Sequence, residues 1–454
     1  MRPFRLLLLL SLSVAAALPA QRSLLRSGPM VGYGQMTEVM LWVQTAAPAS
    51  VQYRYWKQGA PASPERSASE QSAADREHVV KTVISGLTPG TVYEYELLLN
   101  GRPVPRPYPL RFRTQPHWQW RSDPPAFTVA FGSCAYINDP PSDRPGPPYG
   151  GDYRIFTAMA AQRPDLMLWT GDNIYLREPD WDSRSGIAYR YAHTRALPEL
   201  QPLLGATHHY ATWDDHDFGP NNADRSFRLR RESLELFRLF WANQTYGTDE
   251  AAGVFGRFVW GDAEFFLLDD RYHRAPNEGP GDERRTMFGA EQLGWLKDAL
   301  SNSVARFKIV VNGNQMLNRF SGDGELLAQY PADHRALLTY IKERRIPGIL
   351  FLSGDRHHTE LVVDGDSAFY PLYDFTSSPL TSGVHRMTRR DGSTLPELHN
   401  PQRVPGTLVD DARNFGMLRF SGPAADRRVV LETYDAAGTL RWSKEIRAND
   451  LRMP

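Results

Sequence analysis

The chain of 454 residues contains a single cysteine, Cys134, and its formal net charge is +0. One thiol cannot form an intramolecular disulfide, so the fold does not depend on a disulfide framework. The balanced charge and the lack of a long basic block argue against dedicated nucleic-acid binding, because neutralising phosphates needs a basic face. Beyond the N-terminus no stretch approaches the ~20 apolar residues of a membrane-spanning helix. We therefore expect no transmembrane segment in the mature chain and a small molecule as the partner.

The N-terminus has the three parts of an export signal. Arg2 and Arg5 precede an apolar run at residues 6–10, and the small residue Ala20 provides a plausible cleavage site. A short membrane anchor is the alternative, but the apolar run is too short and no charge stops it. The pattern predicts a signal peptide at residues 1–20 and a secreted or periplasmic protein.

The mature chain is too long for one simple core, and its first part is typical of a separate β domain. Short strands alternate with Gly/Pro turns, and the best of them alternates apolar and acidic residues at a period of two. These strands are predicted at residues 39–43, 51–56, 79–84 and 92–97. The spacing predicts a small β-sandwich of immunoglobulin or fibronectin type over residues 21–115.

The pattern changes after a linker, and residues 126–446 are typical of an α/β catalytic domain. Apolar strands alternate with amphipathic helices, whose apolar faces include Ile155 and Met159, then Leu236 and Phe240. Further strands at residues 416–420, 429–434 and 440–446 are expected to close a second sheet. Open α/β folds bind ligands beyond the carboxyl ends of their strands, so the residues that follow each strand are the candidate site residues.

Polar residues follow several of these apolar strands. Taken singly, each cluster is a common turn, because aspartate often caps a backbone amide. Side chains that can bind metals recur at the ends of these strands, where a shared crevice is expected to form. This recurrence favours metal binding over a set of unrelated turns. The clusters are Gly132-Ser133-Cys134, Gly171-Asp172-Asn173-Ile174-Tyr175, Asp214-Asp215-His216-Asp217, Asn312-Gly313-Asn314 and Ser353-Gly354-Asp355-Arg356-His357.

The types of these side chains indicate which metals they suit. The carboxylates are hard oxygen donors suited to Ca²⁺, Mg²⁺ or Mn²⁺. The thiol, the imidazole and the phenol suit a transition metal that is a stronger Lewis acid. The first group comprises Asp172, Asp215 and Asp355, and the second comprises Cys134, His357 and Tyr175.

The same clusters predict a catalytic arrangement. A carboxylate such as Asp172 can bridge two ions, which then clamp the attacking and leaving oxygens of an in-line displacement. His216 fits a general acid for the leaving oxygen, or a group that stabilises its charge. For Cys134 three roles are open: a buried small residue, a covalent nucleophile, or a metal ligand, which its neighbours favour.

These motifs resemble the PhoD-type alkaline phosphatases of the calcineurin-like and purple acid phosphatase superfamily. The resemblance rests on Gly132-Ser133-Cys134, Gly171-Asp172-x-x-Tyr175, Trp213-Asp214-Asp215-His216-Asp217 with Asn221-Asn222, and Ser353-Gly354-Asp355-x-His357. It covers nearly all of the mature chain. It implies a two-sheet metallophosphatase sandwich flanked by helices and preceded by a small β-sandwich domain.

The resemblance also implies a mixed Fe³⁺ and Ca²⁺ centre. The iron would be held by Cys134, Asp172, Tyr175 and His357, and the calcium by Asp172, Asp215 and Asp355. Asn314 stands at a ligand position of related metallophosphatases. Arg271, in the segment Leu267-Leu268-Asp269-Asp270-Arg271, is expected either to bind the substrate phosphate or to form a structural salt bridge.

The favoured function is a secreted, metal-dependent phosphoesterase that hydrolyses phosphate mono- or diesters by attack of a metal-bound hydroxide. The nearest alternative is a phospholipase C-like or nuclease-like diesterase, so a phospholipid is an alternative to a small phosphate ester as substrate. A non-enzymatic surface or adhesion protein is a further alternative, although this function does not explain the polar residues at the strand ends. His208, His209 and His358 are expected to be surface or capping residues.

Overall fold

The computed structural model describes residues 23–278, 285–320, 325–366 and 368–453, so the predicted signal peptide lies outside the described residues. The strands before the linker are β1 (Leu25–Gly34), β2 (Glu38–Thr45), β3 (Ser50–Lys57), β4 (Glu65–Arg66), β5 (Glu70–Gln71), β6 (Val79–Ser85), β7 (Val92–Leu99), β8 (Arg102–Pro103) and β9 (Arg111–Arg113). Those after it are β10 (Phe127–Gly132), β11 (Leu166–Thr170), β12 (His208–Thr212), β13 (Gly256–Trp260), β14 (Ala263–Leu267), β15 (Phe307–Val311), β16 (Ile349–Ser353), β17 (Glu360–Asp364), β18 (Leu372–Thr376), β19 (Asn414–Ser421), β20 (Arg428–Asp435) and β21 (Leu440–Arg447). The α-helices are α1 (Arg154–Ala161), α2 (Arg184–Arg195), α3 (Gln201–Leu204), α4 (Asp215–Phe218), α5 (Arg230–Phe240), α6 (Ala290–Asn302) and α7 (Pro331–Glu343).

Two large sheets form the body of the molecule. The first has nine strands in the order β21-β20-β19-β10-β11-β12-β1-β2-β6, with β10, β11 and β12 parallel. The second has the order β13-β14-β15-β16-β18-β17, and its strands from β14 through β15 and β16 to β18 are parallel. The C-terminal strands β19, β20 and β21 extend the first sheet from β10, so the expectation that they close a second sheet is wrong.

The central strands β10, β11 and β12 of the first sheet are buried on both faces, as their continuous apolar runs predict. Val129 and Phe131 of β10 point into a core shared with the second sheet and with α6 and α7. Ala130 and, on β11, Trp169 point to the opposite face, where they pack with α1, α2 and α5. Burying each large apolar side chain stabilises the fold by about 1.5–3 kcal/mol. This two-sheet α/β sandwich with outer helices confirms the fold class predicted from the sequence.

The N-terminal region forms a third sheet that packs on an extension of the first one. Strands β3 and β7 pair at its centre, and β4, β5, β8 and β9 flank them. Their apolar side chains share a core with β1, β2 and β6. Those three strands continue the nine-stranded sheet, because β1 pairs with β12 through Val31 and His208. The strand pattern of the sequence did not indicate this continuity.

Two adjacent histidines of β12 hold buried positions in this sheet. His208 is 3% exposed, and its ring nitrogens each lie 2.9 Å from a carbonyl oxygen, that of Gly32 or that of Arg113. His209 is fully buried, and its Nδ1 accepts a hydrogen bond from Trp169. With His358 also only 2% exposed, the surface positions expected for these three histidines are wrong, and the alternative capping role stays a prediction.

Within the described residues, no helix has the length and apolar character needed to cross a membrane.

The parallel strands of both sheets end at one edge, and their following loops meet there. The loop after β16 contacts the loop after β15, because the Gly354 amide donates to the Gly313 carbonyl over 2.8 Å. A Cβ at Gly354 would lie 2.4 Å from Ser133 Oγ and 2.7 Å from the Thr170 carbonyl oxygen. Only glycine therefore allows the loop after β16 to approach the ends of β10 and β11.

Candidate metal centre

The polar residues that follow the parallel strands converge into one buried cluster. Cys134 lies just beyond β10, Asp172 just beyond β11, and Asp215 at the first position of α4 after β12. Asp355 and His357 come from the other sheet, just beyond β16. The carboxyl ends of parallel strands share an edge, which explains why side chains so distant in sequence come together.

One group in this cluster has the mixed donors of a transition-metal site. Ligand atoms of Cys134, Asp172 and His357 all lie within 4.8 Å of one another. The Tyr175 hydroxyl lies 3.1 Å from Asp172 Oδ2 and 3.1 Å from His357 Nε2. The structure thus brings together the side chains expected to hold iron.

Asp172 also belongs to groups made mainly of carboxylates. It lies within 4.8 Å of Asp215 and His216 in one group, and of Asp214 and Asp355 in another. Asp215 and Asp355 were expected to bind one calcium ion together, but each shares a group with Asp172 and not with the other. Because Asp172 is common to these groups and to the thiol group, its geometry suits a carboxylate that bridges two ions.

Several of these residues have a backbone in the left-handed region of conformational space. The φ angles are 62° at Cys134, 52° at Asp172, 64° at Asp355 and 55° at His357. This conformation is uncommon outside glycine and costs of order 1–3 kcal/mol at each position, so the surrounding structure must hold it in place. Such strain concentrates at functional sites, which agrees with a common role for these residues.

The Cys134 thiol is buried and surrounded by hydroxyl groups. Ser378 Oγ lies 3.1 Å and Ser133 Oγ 3.3 Å from its sulfur. Burial and the nearby Asp355 carboxylate raise the pKa of Cys134 to about 12. A thiol in this environment ionises at neutral pH only when a cation compensates its charge, so the structure gives it no support as a free nucleophile.

The carboxylates of Asp172 and Asp355 are similarly short of positive charge. Burial, followed by the charges of Asp215 and Cys134, raises the pKa of Asp172 well above its ordinary range. Burial raises the pKa of Asp355 to about 7. A bound cation relieves such crowding of buried acids, and the mixture of thiol, phenol, imidazole and carboxylate fits a transition metal beside a harder ion.

His216 lies at the edge of the cluster, with its ring on that of Tyr175 at a centroid distance of 4.2 Å. Its backbone amide donates to Asp215 Oδ1 over 2.9 Å. Its buried Nδ1 has no hydrogen-bond partner in the described part of the chain. Burial lowers the pKa of His216, while Asp215 acts in the opposite direction. The imidazole is thus fixed beside the carboxylates, and its role as a general acid stays a prediction.

Arg271 is fully buried behind the carboxylates rather than at an open surface. Its Nε donates to Asp214 Oδ1 over 2.6 Å, and its terminal nitrogens bind Asp214 and Glu325. The geometry therefore contains the salt bridge that was one of the two expected roles. A role in binding the substrate phosphate stays a prediction.

Asn314 contacts the Asp214 carboxylate and a second buried arginine, Arg274. Its Nδ2 donates to Asp214 Oδ2 over 3.0 Å, and its Oδ1 accepts from Arg274 over 2.7 Å. Its side chain thus holds Asp214 in place, and metal ligation by Asn314 stays a prediction.

Two acidic members of the cluster were not assigned from the sequence. Asp214 lies in the Trp-Asp-Asp-His motif, but the neighbouring Asp215 was chosen as the ligand. Glu325 shares a possible metal group with Asp214 and Asp215. Glu325 does not follow a strand, so the pattern of polar residues at strand ends cannot identify it. Asp214 could have been identified, because it lies in the Trp-Asp-Asp-His motif.

Comparison with known proteins agrees with this geometry. The family model described as PhoD-like phosphatase matches residues 129–422, and a domain of unknown function (DUF7800) matches residues 22–117. Alkaline phosphatase D of Bacillus subtilis (strain 168) is 25% identical over 389 residues, which cover 72% of this chain. The match covers only 62% of that relative's own length.

Solved structures share the fold across most of the chain. A structure of PhoD superposes with a TM-score of 0.76 at 19% identity, covering 94% of this chain and 93% of that one. A purple acid phosphatase from yellow lupin (Lupinus luteus) seeds superposes with a TM-score of 0.64 at 11% identity, covering 92% of this chain and 74% of that one. These two structures show the shared fold, and the family model that matches residues 129–422 confirms the family resemblance predicted from the strand-end motifs.

Proposed function

Because the chain belongs to the family of PhoD-like phosphatases, we propose that it is a metal-dependent hydrolase of phosphate mono- or diesters. The observation that carries the proposal is the position of Asp172, whose carboxylate belongs both to the group with Cys134 and to the groups of carboxylates. A shared carboxylate is what a paired-metal phosphoesterase needs. The proposed ions are Fe³⁺ at Cys134, Asp172, Tyr175 and His357, and Ca²⁺ at the carboxylates.

Cys134, Asp172, Tyr175 and His357 would hold one ion and the carboxylates the other, and the pair would supply charge that neutralises the phosphate and a nucleophile near neutral pH. The side chains of the protein supply the rest of the arrangement. The His216 amide donates to both Asp172 and Asp215, which keeps the two carboxylates at a fixed separation. The His216 ring then protonates the leaving oxygen. Arg271 forms ion pairs with Asp214 and Glu325, and these pairs hold the two acidic side chains in place within the cluster.

We also propose that the protein is exported after loss of residues 1–20, and that residues 21–115 and 126–446 form the two domains. The charged and apolar N-terminus supports export, and the separate family matches to residues 22–117 and 129–422 support the division. Small phosphate esters or phospholipids are the proposed substrates, and no dedicated nucleic-acid partner is proposed.

The proposal is tested by metal analysis together with hydrolysis of p-nitrophenyl phosphate and bis-p-nitrophenyl phosphate. We expect chelators to remove activity, and iron with calcium to restore it better than zinc alone. Asp172→Asn should lose both metals and both activities. The matched control is Asp165→Asn, at the opposite end of the same strand, where Asp165 accepts a hydrogen bond from the Thr128 amide.

Two outcomes would contradict parts of this proposal. Full reactivation by zinc, with no iron in the purified protein, would rule out the mixed-metal centre. Metal-loaded protein that hydrolyses neither ester would contradict the phosphoesterase function itself. The ratio of the two rates distinguishes a monoesterase from a phospholipase C-like or nuclease-like diesterase.

A further inference from the structure

Two tyrosine hydroxyls contact opposite nitrogens of the His357 ring. The Tyr175 hydroxyl lies 3.1 Å from Nε2, on the side of the ring that faces Asp172. The Tyr149 hydroxyl lies 3.2 Å from Nδ1. Tyr149 had no assigned role in the sequence, where it is one of the residues of the Pro/Gly-rich loop 140–151.

The loop that carries Tyr149 is anchored to the segment after β18. The Gly151 amide donates to the Thr381 carbonyl over 2.8 Å. Asn138 bonds both the amide and the carbonyl of Gly150, each over 2.9 Å. A Cβ at Gly383 would lie 2.7 Å from Cε2 of Tyr149, so the ring packs directly on this glycine. The hydroxyl is therefore presented to His357 by a braced backbone.

A neighbouring aromatic ring also restrains Tyr149. Its ring meets that of Tyr136 edge to face, with centroids 4.9 Å apart, and Tyr136 in turn packs on Tyr175. Tyr149 is nevertheless 45% exposed. The ring is held on two sides, by Gly383 and by Tyr136, which keeps the hydroxyl on His357 although part of the residue is exposed.

Ser382 and the backbone of Gly383 are competing partners for the same imidazole. The Ser382 Oγ lies 3.5 Å from Nδ1 and 3.4 Å from Nε2, at the limit of a hydrogen bond and with no preference for either nitrogen. Ser382 therefore cannot distinguish the two ring nitrogens, whereas Tyr149 contacts Nδ1 alone.

A metal-binding histidine usually donates its second ring N–H to an acceptor, which fixes the tautomer and the orientation of the ring. We propose that Tyr149 is the positioning residue for His357. Its hydroxyl oxygen accepts the Nδ1–H, so that Nε2 presents a lone pair to a metal held with Cys134 and Asp172. This inference rests on the proposed function in one respect, namely that His357 binds a metal.

The test uses Co²⁺ as the probe, because its absorption reports thiolate and imidazole ligation directly. Metal-free parent protein and the Tyr149→Phe variant are titrated with Co²⁺, and the dissociation constants and spectra are compared. Losing the partner of a metal-binding histidine typically weakens affinity by about 10–100-fold. We expect a loss in this range and a changed absorption spectrum for Tyr149→Phe.

Two control variants separate this effect from general damage. Tyr340→Phe removes a tyrosine hydroxyl that bonds Ser301 on the surface between α6 and α7, and it should leave Co²⁺ affinity unchanged. Ser382→Ala should weaken binding less than Tyr149→Phe does. A second measurement needs no metal: ¹⁵N spectra of the histidines should show His357 protonated at Nδ1 in the parent, and a mixture of tautomers in Tyr149→Phe.

An affinity for Co²⁺ in Tyr149→Phe within twofold of the parent would overturn the inference, as would a larger loss for Ser382→Ala. Either result leaves the proposed function intact, provided that the parent binds Co²⁺. A parent protein that binds no Co²⁺, and no other metal on analysis, would instead contradict the proposed function and the inference together.

Discussion

The hydroxyl of Tyr175 lies 3.1 Å from Nε2 of His357, although 182 positions separate the two residues in the sequence. Tyr175 follows β11 in the first sheet, and His357 follows β16 in the second. The contact therefore exists only because the carboxyl ends of both sheets meet at one edge. The same edge brings Cys134 and Asp172 to within 3.5 Å of each other.

Replacing Cys134 distinguishes a metal ligand from a buried residue that only fills space. If Cys134 is a ligand, Cys134→Ser and Cys134→Ala should lower iron content and turnover together, on the order of tenfold or more, and remove thiolate-to-metal absorption. A residue that only fills space would cost about 1–3 kcal/mol of stability and spare the metals. Metal analysis, absorption spectra and kinetics on the same samples decide the matter. Full iron with near-normal turnover in Cys134→Ala would refute the ligand role.

Replacing His216 tests whether it protonates the leaving group. His216→Ala should lower turnover by about 10²–10⁴-fold for alkyl phosphates, whose leaving oxygens are basic, and much less for nitrophenyl phosphate. Metal content should stay near that of the parent. The check is a series of esters with leaving groups of different pKa, assayed with both proteins. Equal losses for alkyl and nitrophenyl esters would indicate another role for His216, such as positioning the substrate.

Arg271 should behave as a buried structural cation. Arg271→Ala leaves the carboxylates of Asp214 and Glu325 buried without this partner, so the free energy of unfolding should fall by about 3–5 kcal/mol. Arg228→Ala is the matched control, because both side chains of its pair with Asp182 are exposed and the pair should contribute about 0–1 kcal/mol. Denaturant titrations measure both. Equal stability of the two variants, with a raised KM only for Arg271→Ala, would favour phosphate binding instead.

His209 should make the fold sensitive to acid. Burial lowers the pKa of His209 from its ordinary value of 6.5 to about 3. Between these values the unfolded chain binds a proton that the folded chain does not, so stability falls as the pH falls. This residue should contribute a slope of about 1.4 kcal/mol per pH unit in that window.

His209→Gln removes this titrating group and should flatten the dependence of the unfolding free energy on pH between about 6.5 and 3. His399→Gln, at an exposed position, serves as the control and should leave the curve unchanged. Unfolding curves at several pH values provide the measurement. A parallel pH dependence for His209→Gln and the parent would show that the ring is protonated in the folded state.

Local patterns in the sequence were sufficient for much of the fold. The continuous apolar run at residues 127–131 predicts a strand that is buried on both faces. The structure agrees, because Val129 and Ala130 lie in cores on opposite faces of the sheet. The helical period likewise placed Ile155 and Met159 on the buried face of α1. Such patterns are readable because a strand or helix repeats its burial every few residues.

The sequence by itself determined which side chains follow the strands, and hence most of the candidate site. Strand ends are marked locally, by an apolar run that stops at Gly-Asp or Ser-Cys, and parallel strands all end at the same edge. The tertiary structure alone decided the pairing of β1 with β12, the burial of His208, and the approach of Glu325 and Tyr149 to the cluster. These contacts join segments that are far apart in the sequence. The local pattern of each segment is explained by its own strand, helix or loop and carries no sign of the other segment, because packing between distant elements does not repeat at a fixed interval along the chain.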